Sequence, residues 1–531
     1  MAGWGREKGF VKQDQAGSAH RHVVKSAGVI GGFTGISRIL GFIRDMLIAS
    51  VFGTGIGAEA FVVSFKIPNL LRDLVAEGAA NAAFVPVFSE CRQKKPADYW
   101  KLVSTVLWVM GTVLLVLSAL GVFFTPQIVR LLAPGFVHSA DAEKLPLTIA
   151  LTRLMFPYLF LIGLSALAMG VLNSLKEFTS SAIGPALLNV SMIVTALFFE
   201  KKYGPIALVV GVLAGGVLQL AFQIPPLLRS GFRFEKPDFG HEYVKKIARL
   251  LVPRALGSGL YQINVLVDSI LASFEKIVGA GGQSALYYSN RLFQLPLAVL
   301  GLSLAQAVLP TFSTQAAKGD MEAFKKTVSM AIRSILFVIL PASVGLVVLS
   351  EPIVRIIFEH GKFDAYSTSI TSSALFYYSF GLLSCAMIKI FANAFYALQD
   401  TRTPVKIMLF SVSLNVVLSL LFMFPMKIGG LTFASSISAT ANMGLLYHFL
   451  IRRIGVLDEK RIVDGLVKVL IASTLMAIFT WGYRHWVISA FLHSSRLAQG
   501  GILLLGIAIA ILIYFASTLL LRLEEARKIF R

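Results

Sequence analysis

The chain has 531 residues, 56% of them hydrophobic and only 15% charged, and a mean hydropathy of +0.75, where an ordinary soluble domain holds about 45–50% apolar and about 25% charged residues. That balance excludes an ordinary soluble domain and predicts an all-α polytopic membrane protein. The net charge of +21 follows from Lys and Arg gathered in cytoplasmic loops and calls for no nucleic acid, and two cysteines, Cys91 and Cys385, make no disulfide framework.

Residues 1–25 are polar and basic, without the apolar core of a signal peptide, and read as a cytoplasmic tail. Beyond them, apolar runs and their breakers predict about fourteen spans. Their limits are 27–51, 61–89, 102–124, 146–172, 181–199, 205–228, 247–274, 285–316, 328–349, 369–397, 405–424, 429–451, 465–488 and 499–521. Lys8 to Lys25, Arg92/Lys94/Lys95, Lys176, Arg229 to Lys246, Lys318/Lys325/Lys326, Arg402/Lys406, Arg452/Arg453/Lys460/Arg461 and Arg522 to Arg531 fall on one side. The opposite loops are poor in basic residues or mix them with acids, as in "SADAEK" (139–144) and "EHGKFD" (359–364). Both termini are therefore expected in the cytoplasm.

The first span holds "SRILGFIRD" (37–45), with Arg38, Arg44 and Asp45. A charge at mid-helix costs about 2.5–3.5 kcal/mol, so the two arginines together cost about 5–7 kcal/mol and must face water, a partner or a ligand. Arg38 and Asp45, seven apart, lie on nearly one face two turns distant. Arg44 points about 120° away from Arg38, so Asp45 cannot sit midway and neutralise both. At least one guanidinium is left for an anion.

The second span carries Glu59, Lys66, Arg72, Asp73 and Glu77 in "EAFVVSFKIPNLLRDLVAEGAANAAFVPVF" (59–88). Pro68 and Pro86 are expected kinks, and Gly41, Pro68 and Pro157 are candidate bending points. The seventh span offers Arg254 near its cytoplasmic end and Asp268 deeper; the eighth opens on "YYSNRLFQLP" (287–296) with Arg291. Arg38, Arg44, Arg72 and Arg291 thus fall on the first two helices of each half, and arginine's planar fork suits a phosphate. Lys66, Arg254 and Asp73 fit intramembrane ion pairs or snorkelling helix ends equally well. Asp268 either pairs with an arginine or binds a coupling cation.

The chain repeats itself. "TPQIVRLLAPGF" (125–136) resembles "EPIVRIIFEHGKF" (351–363), and "AAFVPVFS" (82–89) resembles "QAVLPTFS" (306–313). "GISRILGFIRDMLIAS" (35–50) aligns with "GLYQINVLVDSILAS" (259–273), and "VLNSLKEF" more weakly with "YALQDTRT". All four pairs lie at nearly one offset, which spans an even number of helices, so the two copies share orientation, as in transporters built from parallel repeats. The predicted organisation is a tail (1–25), an N-lobe of six helices (26–235), a C-lobe of six (236–455) and two C-terminal helices with a tail (456–531). No Walker A pattern is present, the histidines lack metal-ligand spacing, and no cofactor is indicated. "GGFTG" (31–35), "GTGIG" (53–57) and "GVLAG" (211–215) have the small-residue spacing of packed helices.

"SRILGFIRD", "FGTGIGAEAF", "FKIPNLLRDLVAEGAANAAFVPVF", "GVLNSLKEF" and "FYALQDTRTPVK" resemble the MurJ (MviN) family, in order and from about residue 25 to the end. That family belongs to the multidrug/oligosaccharidyl-lipid/polysaccharide exporter superfamily and is regarded as flipping lipid II, an undecaprenyl-pyrophosphate glycolipid, across the bacterial inner membrane. The resemblance implies fourteen helices, two six-helix lobes around a cationic cavity, and a groove by helices 13 and 14 for the lipid tail. It implies substrate-binding roles for Arg38, Arg44, Arg72 and Arg291, and carries Glu59 as the acid opening helix 2, where relatives usually have Asp. Asp73 stands where a second basic residue is common, and Asn290 and Gln294 where acids are common.

The reading is a flippase without covalent chemistry, its substrate-binding residues Arg38, Arg44, Arg72, Arg291 and Glu59. Asp268 and Asp45 are the candidates for ion coupling or charge pairing. Lipid II, membrane lipids, a coupling ion and envelope-synthesis proteins are the expected partners. A flippase for another polyprenyl-linked oligosaccharide and a multidrug exporter of the superfamily are alternatives; these typically have twelve spans, and a cation exporter wants an acidic cavity. A non-transporting scaffold would tolerate loss of the intramembrane arginines.

Overall fold

The computed structural model describes residues 32–33, 35–72, 79–491 and 494–529, without the side chains of 71–72, 79–82, 252–261 and 528–529. Among the described residues the regular elements are helices. In chain order they begin with α1 (35–52), α2 (Ile56–Arg72), α3 (Ala79–Lys94), α4 (Tyr99–Phe123), α5 (Thr125–Leu132), α6 (Lys144–Met155) and α7 (Pro157–Ser174). There follow α8 (Thr179–Tyr203), α9 (Ile206–Arg229), α10 (Glu242–Ala272), α11 (Glu275–Val278), α12 (Gly282–Pro296), α13 (Ser303–Ala317) and α14 (Met321–Phe358). The last are α15 (Ala365–Ser379), α16 (Leu382–Ala397), α17 (Arg402–Met426), α18 (Ile428–Ile454), α19 (Glu459–Tyr483), α20 (Arg496–Leu520) and α21 (Glu524–Ile529).

Among the described residues nine helices are long and apolar enough to cross a membrane, and the α15–α16 pair, bent by 44°, makes ten. The remaining predicted spans correspond to α1, α2–α3, α10 and α18. In α10 the first half, "EYVKKIARLLVPRALG", is charged, and α18 is rich in Gly, Ser, Thr and Asn. Those small polar groups bond within the protein: Ser436 Oγ donates to Tyr377 O at 2.7 Å, and Ser438 Oγ to Ala434 O at 2.8 Å. A helix of this composition is placed by its neighbours rather than by hydropathy.

Two compact units divide the chain. The first comprises residues up to Ile48, Val63–Val129 and Pro146–Gly259. Within it α8 and α9 pack at close range on the "GVLAG" glycines: a Cβ on Gly211 would lie 3.0 Å from Met192 Cα, and one on Gly215 2.9 Å from Leu188 Cα. Pro157 occupies the first position of α7, where a missing N–H costs nothing.

The second unit holds Ala49–Val62, Arg130–Leu145 and everything from Leu260 onward. Its longest helix, α14, starts at a cap in which Asp320 accepts the Ala323 N–H at 3.0 Å. After Pro296 the chain runs through a wide π turn, Leu297–Leu302, before α13, which absorbs the carbonyl that proline cannot satisfy. The C-terminal helices pack on α14 through Tyr514, whose OH donates to Phe337 O at 2.6 Å.

A reciprocal pair of contacts marks the repeat inside this unit. The Lys362 N–H donates to Ser50 O at 2.7 Å, and a Cβ on Gly361, which has φ +57°, would collide with that same oxygen. Conversely, the Gly135 N–H donates to Ser273 Oγ at 2.9 Å, and a Cβ on Gly135 would collide with Ser273 O. Ser50 and Ser273 end the aligned first helices, and Gly135 and Gly361 lie in the aligned "APGF" and "EHGKF" loops. Each repeat's loop therefore seats on the other repeat's first helix. The "GTGIG" glycines form a turn rather than a packing stripe: Gly53 has φ +59° and its α-carbon faces Lys362 O.

Candidate functional site

In the first unit α1 presents Arg44 and Asp45, only 6% and 2% exposed. The Arg44 guanidinium folds back on its neighbour: Nε and Nη2 donate to Asp45 Oδ1 at 3.0 and 2.7 Å. Its Nη1 donates to Asn189 Oδ1 on α8 at 2.9 Å, and Asn189 Nδ2 returns to Ser37 O at 3.0 Å. Gly41 makes room for this amide, since a Cβ there would stand 3.5 Å from Asn189 Nδ2. A buried guanidinium is tolerable only when its charge and N–H groups are met, and here an acid and an amide meet them. Helical spacing puts Asp45 nearer to Arg38 in angle, yet the long Arg44 side chain reaches the adjacent carboxylate. Arg38 lies exposed on the same helix. Arg72 closes α2, its side chain outside the described residues, as are Asp73, Glu77 and the side chain of Arg254.

The second unit gathers a charge cluster around Glu59, 2% exposed at the start of α2. Its carboxylate accepts from Lys144 and from the Gln283 N–H in the first turn of α12, at 3.0 Å, the favourable place for an anion on a helix. Lys144 is fully buried, also donates to Glu275, and lies 4.2 Å from the Phe136 ring centroid. Ser139 Oγ gives Glu275 a further bond at 2.7 Å. Burial pushes the Glu275 carboxyl up, but the bonds from Lys144 and Ser139 outweigh it and hold the group below the usual carboxylate range. The sequence marks Lys144 only through the mixed charge of "SADAEK" and gives no signal for Glu275.

Asp268 lies on α10 in a second cluster of the same unit. It accepts from Asn415 Nδ2 at 3.0 Å and Ser435 Oγ at 3.2 Å, while Asn415 also reaches Asn264 Oδ1 at 2.8 Å. The oxygens of Asp268, Asn264, Asn415 and Ser435 thus converge from α10, α17 and α18. In the repeat alignment Asp268 matches Asp45, Asn415 falls at nearly the same offset from Asn189, and Val267 stands where the first repeat has Arg44. Among the described residues no group of three or more His, Cys, Asp or Glu assembles a metal site. Arg291, on α12, lies with its guanidinium carbon 5.0 Å from the Tyr287 ring centroid and donates Nη2 to the Tyr287 hydroxyl at 3.3 Å. The described geometry therefore gathers Arg44 with Asp45, and Glu59 with Lys144, as separate clusters.

The profile of the family described as Lipid II flippase MurJ matches residues 48–499. A probable lipid II flippase MurJ of Haemophilus influenzae is 35% identical over 468 residues, covering 84% of this chain and 90% of the relative. One of Buchnera aphidicola is 34% identical over 467 residues, covering 86% and 90%. A solved structure of lipid II flippase MurJ in an inward closed conformation superposes with a TM-score of 0.77 at 26% identity, covering 94% of this chain and 99% of that one. An inward-facing multidrug transporter of the MATE family superposes with a TM-score of 0.65 at 16% identity over 81% of this chain, a likeness of fold alone.

Proposed function

The chain belongs to the lipid II flippase MurJ family, and from that membership we propose that it carries lipid II across the bacterial inner membrane. The match running unbroken over residues 48–499 carries this reading. It is a polytopic membrane transporter, and the step it performs is a movement, with no covalent bond made or broken.

The headgroup brings a pyrophosphate into the membrane interior, where lost hydration must be replaced by fixed donors. Arg38, Arg44, Arg72 and Arg291 are the proposed donors, with Arg44 held by Asp45 and Asn189 until the anion competes for its N–H groups. Glu59 belongs to the buried cluster with Lys144, Glu275 and the start of α12. The N-lobe (26–235) and C-lobe (236–455) rock about bending points such as Pro157, and helices 13 and 14 guide the prenyl tail in lipid. Alternating access of this kind requires the Glu59–Lys144–Glu275 cluster and the reciprocal loop contacts to open in one half of the cycle. Both termini then lie in the cytoplasm, and envelope-synthesis proteins are the neighbours that would consume the product.

Asp268 is the proposed place for a coupling ion. An all-oxygen set with one carboxylate suits a hard monovalent cation, since divalent sites recruit more carboxylates.

Rescue of a strain whose own lipid II flippase can be depleted tests the reading. Growth and normal shape on expression of this chain are expected; lysis despite full-length protein in the membrane would refute it.

A further inference from the structure

A cavity of about 430 Å³ lies in the second unit where α14 and α19 finish and α20 begins. Its lining brings together Glu351, Arg355, Trp481, Arg484, His485 and Gln499. Arg355 Nη2 donates to Glu351 at 2.7 Å. Arg484 Nη2 donates to the same carboxylate at 2.5 Å, and its Nη1 to Val348 O at 2.9 Å. Glu359 reaches Arg355 Nε at 3.4 Å from outside the lining and is itself bonded by Thr368 at 2.7 Å. One lining carboxylate therefore serves two guanidiniums, each with five N–H donors, and these bonds engage a minority of them.

The surroundings say which anion the forks meet. Trp481 is 62% exposed, Trp486 75% and Leu497 91%, and the Trp481 and His485 rings stack within 4° of parallel. Exposed tryptophans at the ends of apolar helices belong to the headgroup layer of a bilayer. Ile478 of α19 and Leu504 and Leu512 of α20 are exposed as well, as expected of side chains that face lipid. The volume exceeds what a lone phosphate fills and lies in the range of sites for small organic ligands.

We propose that this cavity binds the phosphodiester headgroup of an anionic phospholipid of the surrounding bilayer. Arg355 and Arg484 hold the phosphate in their forks, Gln499 and His485 meet the polar end, and the acyl chains lie in the surrounding bilayer. The lipid fastens the end of α19 and the start of α20 to the end of α14. Arg291 of α12 is not among the lining residues, and the occupant is not the transported lipid.

The test uses the full chain in detergent, titrated with dioleoylphosphatidylglycerol or dioleoylphosphatidylcholine and read by native mass spectrometry. One phosphatidylglycerol per protein should be retained about tenfold more than phosphatidylcholine, because both present the phosphodiester but only choline brings a positive charge against the two guanidiniums. Arg355→Gln should bring the two lipids level. Arg355 bonds along its own helix, so folding does not hinge on it, and Arg484→Gln provides a second reading. Arg130→Gln, at the repeat-equivalent position, should retain the preference. Equal retention of both lipids by the wild type, or an unchanged preference in both variants, overturns the proposal. Displacement of the lipid by an equimolar amount of inorganic phosphate assigns the cavity to a soluble anion and also overturns it.

Discussion

Asp45 and Asp268 occupy matching positions in the two repeats and are compensated differently. Asp45 takes two bonds from the adjacent Arg44 guanidinium, whereas Asp268 is bonded by the amide of Asn415 and the hydroxyl of Ser435. One position, duplicated, accepts from the adjacent guanidinium in one copy and from an amide N–H and a hydroxyl in the other.

Arg44→Ala strips the counter-charge from a carboxylate that is 2% exposed, and breaking such a buried pair costs about 3–5 kcal/mol. The melting temperature in detergent should fall clearly, and Arg44→Ala/Asp45→Ala should recover a good part of the loss. Arg44→Lys should recover little, because a single ammonium cannot reproduce the fork onto Asp45 and the bond to Asn189. Equal melting temperatures for Arg44→Ala and the wild type would remove this pair from the account.

Asp268→Asn should abolish a salt-specific stabilisation. Wild-type protein is expected to melt higher in sodium chloride than in choline chloride at equal ionic strength, by RT ln(1 + [L]/Kd) for a bound cation, about 2.7 kcal/mol at a hundredfold excess over Kd. In Asp268→Asn the two salts should give one curve. A sodium effect that survives the substitution places the ion elsewhere.

Lys144→Met leaves Glu59 and Glu275 facing each other without their shared cation. The arrangement is expected to weaken by about 3–5 kcal/mol, and Glu59→Gln in the same chain should restore part of it. Glu275 adds a pH dependence of known sign. Its carboxyl is held below the usual range in the folded protein, so the stability it contributes is present above its unfolded pKa and fades as pH falls through the folded value. A disulfide trap between cysteines introduced at Ser139 and Lys276 would report the closed cluster; unchanged trapping in Lys144→Met would contradict the role given to the lysine.

Gly361→Ala and Gly135→Ala should each destabilise by about 1–3 kcal/mol, the cost of overpacking, since both glycines press on backbone oxygens of the other repeat's first helix. Gly444→Ala, in α18 with nothing within 4 Å of its new Cβ, should instead stabilise by up to about 1 kcal/mol through helix propensity. Thermal melts of the three variants decide this directly.

Much of the fold was legible because hydropathy marks helices such as α4, α9, α17 and α20 from composition alone. α18 was legible only through its length and place in the order, since its Ser, Thr and Asn residues reflect partners rather than lipid. At the candidate site, "SRILGFIRD" announced itself by the cost of its charges. Its partner did not: Asn189 sits in "ALLNVSM", where a lone amide in an apolar run has no stated target until α8 is placed beside α1. Helical angles assigned Asp45 to the side of Arg38, but a side chain with four torsions is not confined to its own Cα direction. Lys144 was hidden more completely, because a lysine in a mixed-charge loop looks solvated, and only the fold carries Glu59 and Glu275 to it.

The central claim is that this chain flips lipid II with Arg44 serving the anionic headgroup. The most direct measurement uses spheroplasts depleted of their own flippase and carrying this protein or its Arg44→Ala variant, treated with an external enzyme that cleaves lipid II. Substantial cleavage is expected with the wild type, and its loss in a variant present at equal level in the membrane. Equal cleavage in the two would remove Arg44 from the mechanism, and no cleavage with a folded wild type would contradict lipid II as the substrate.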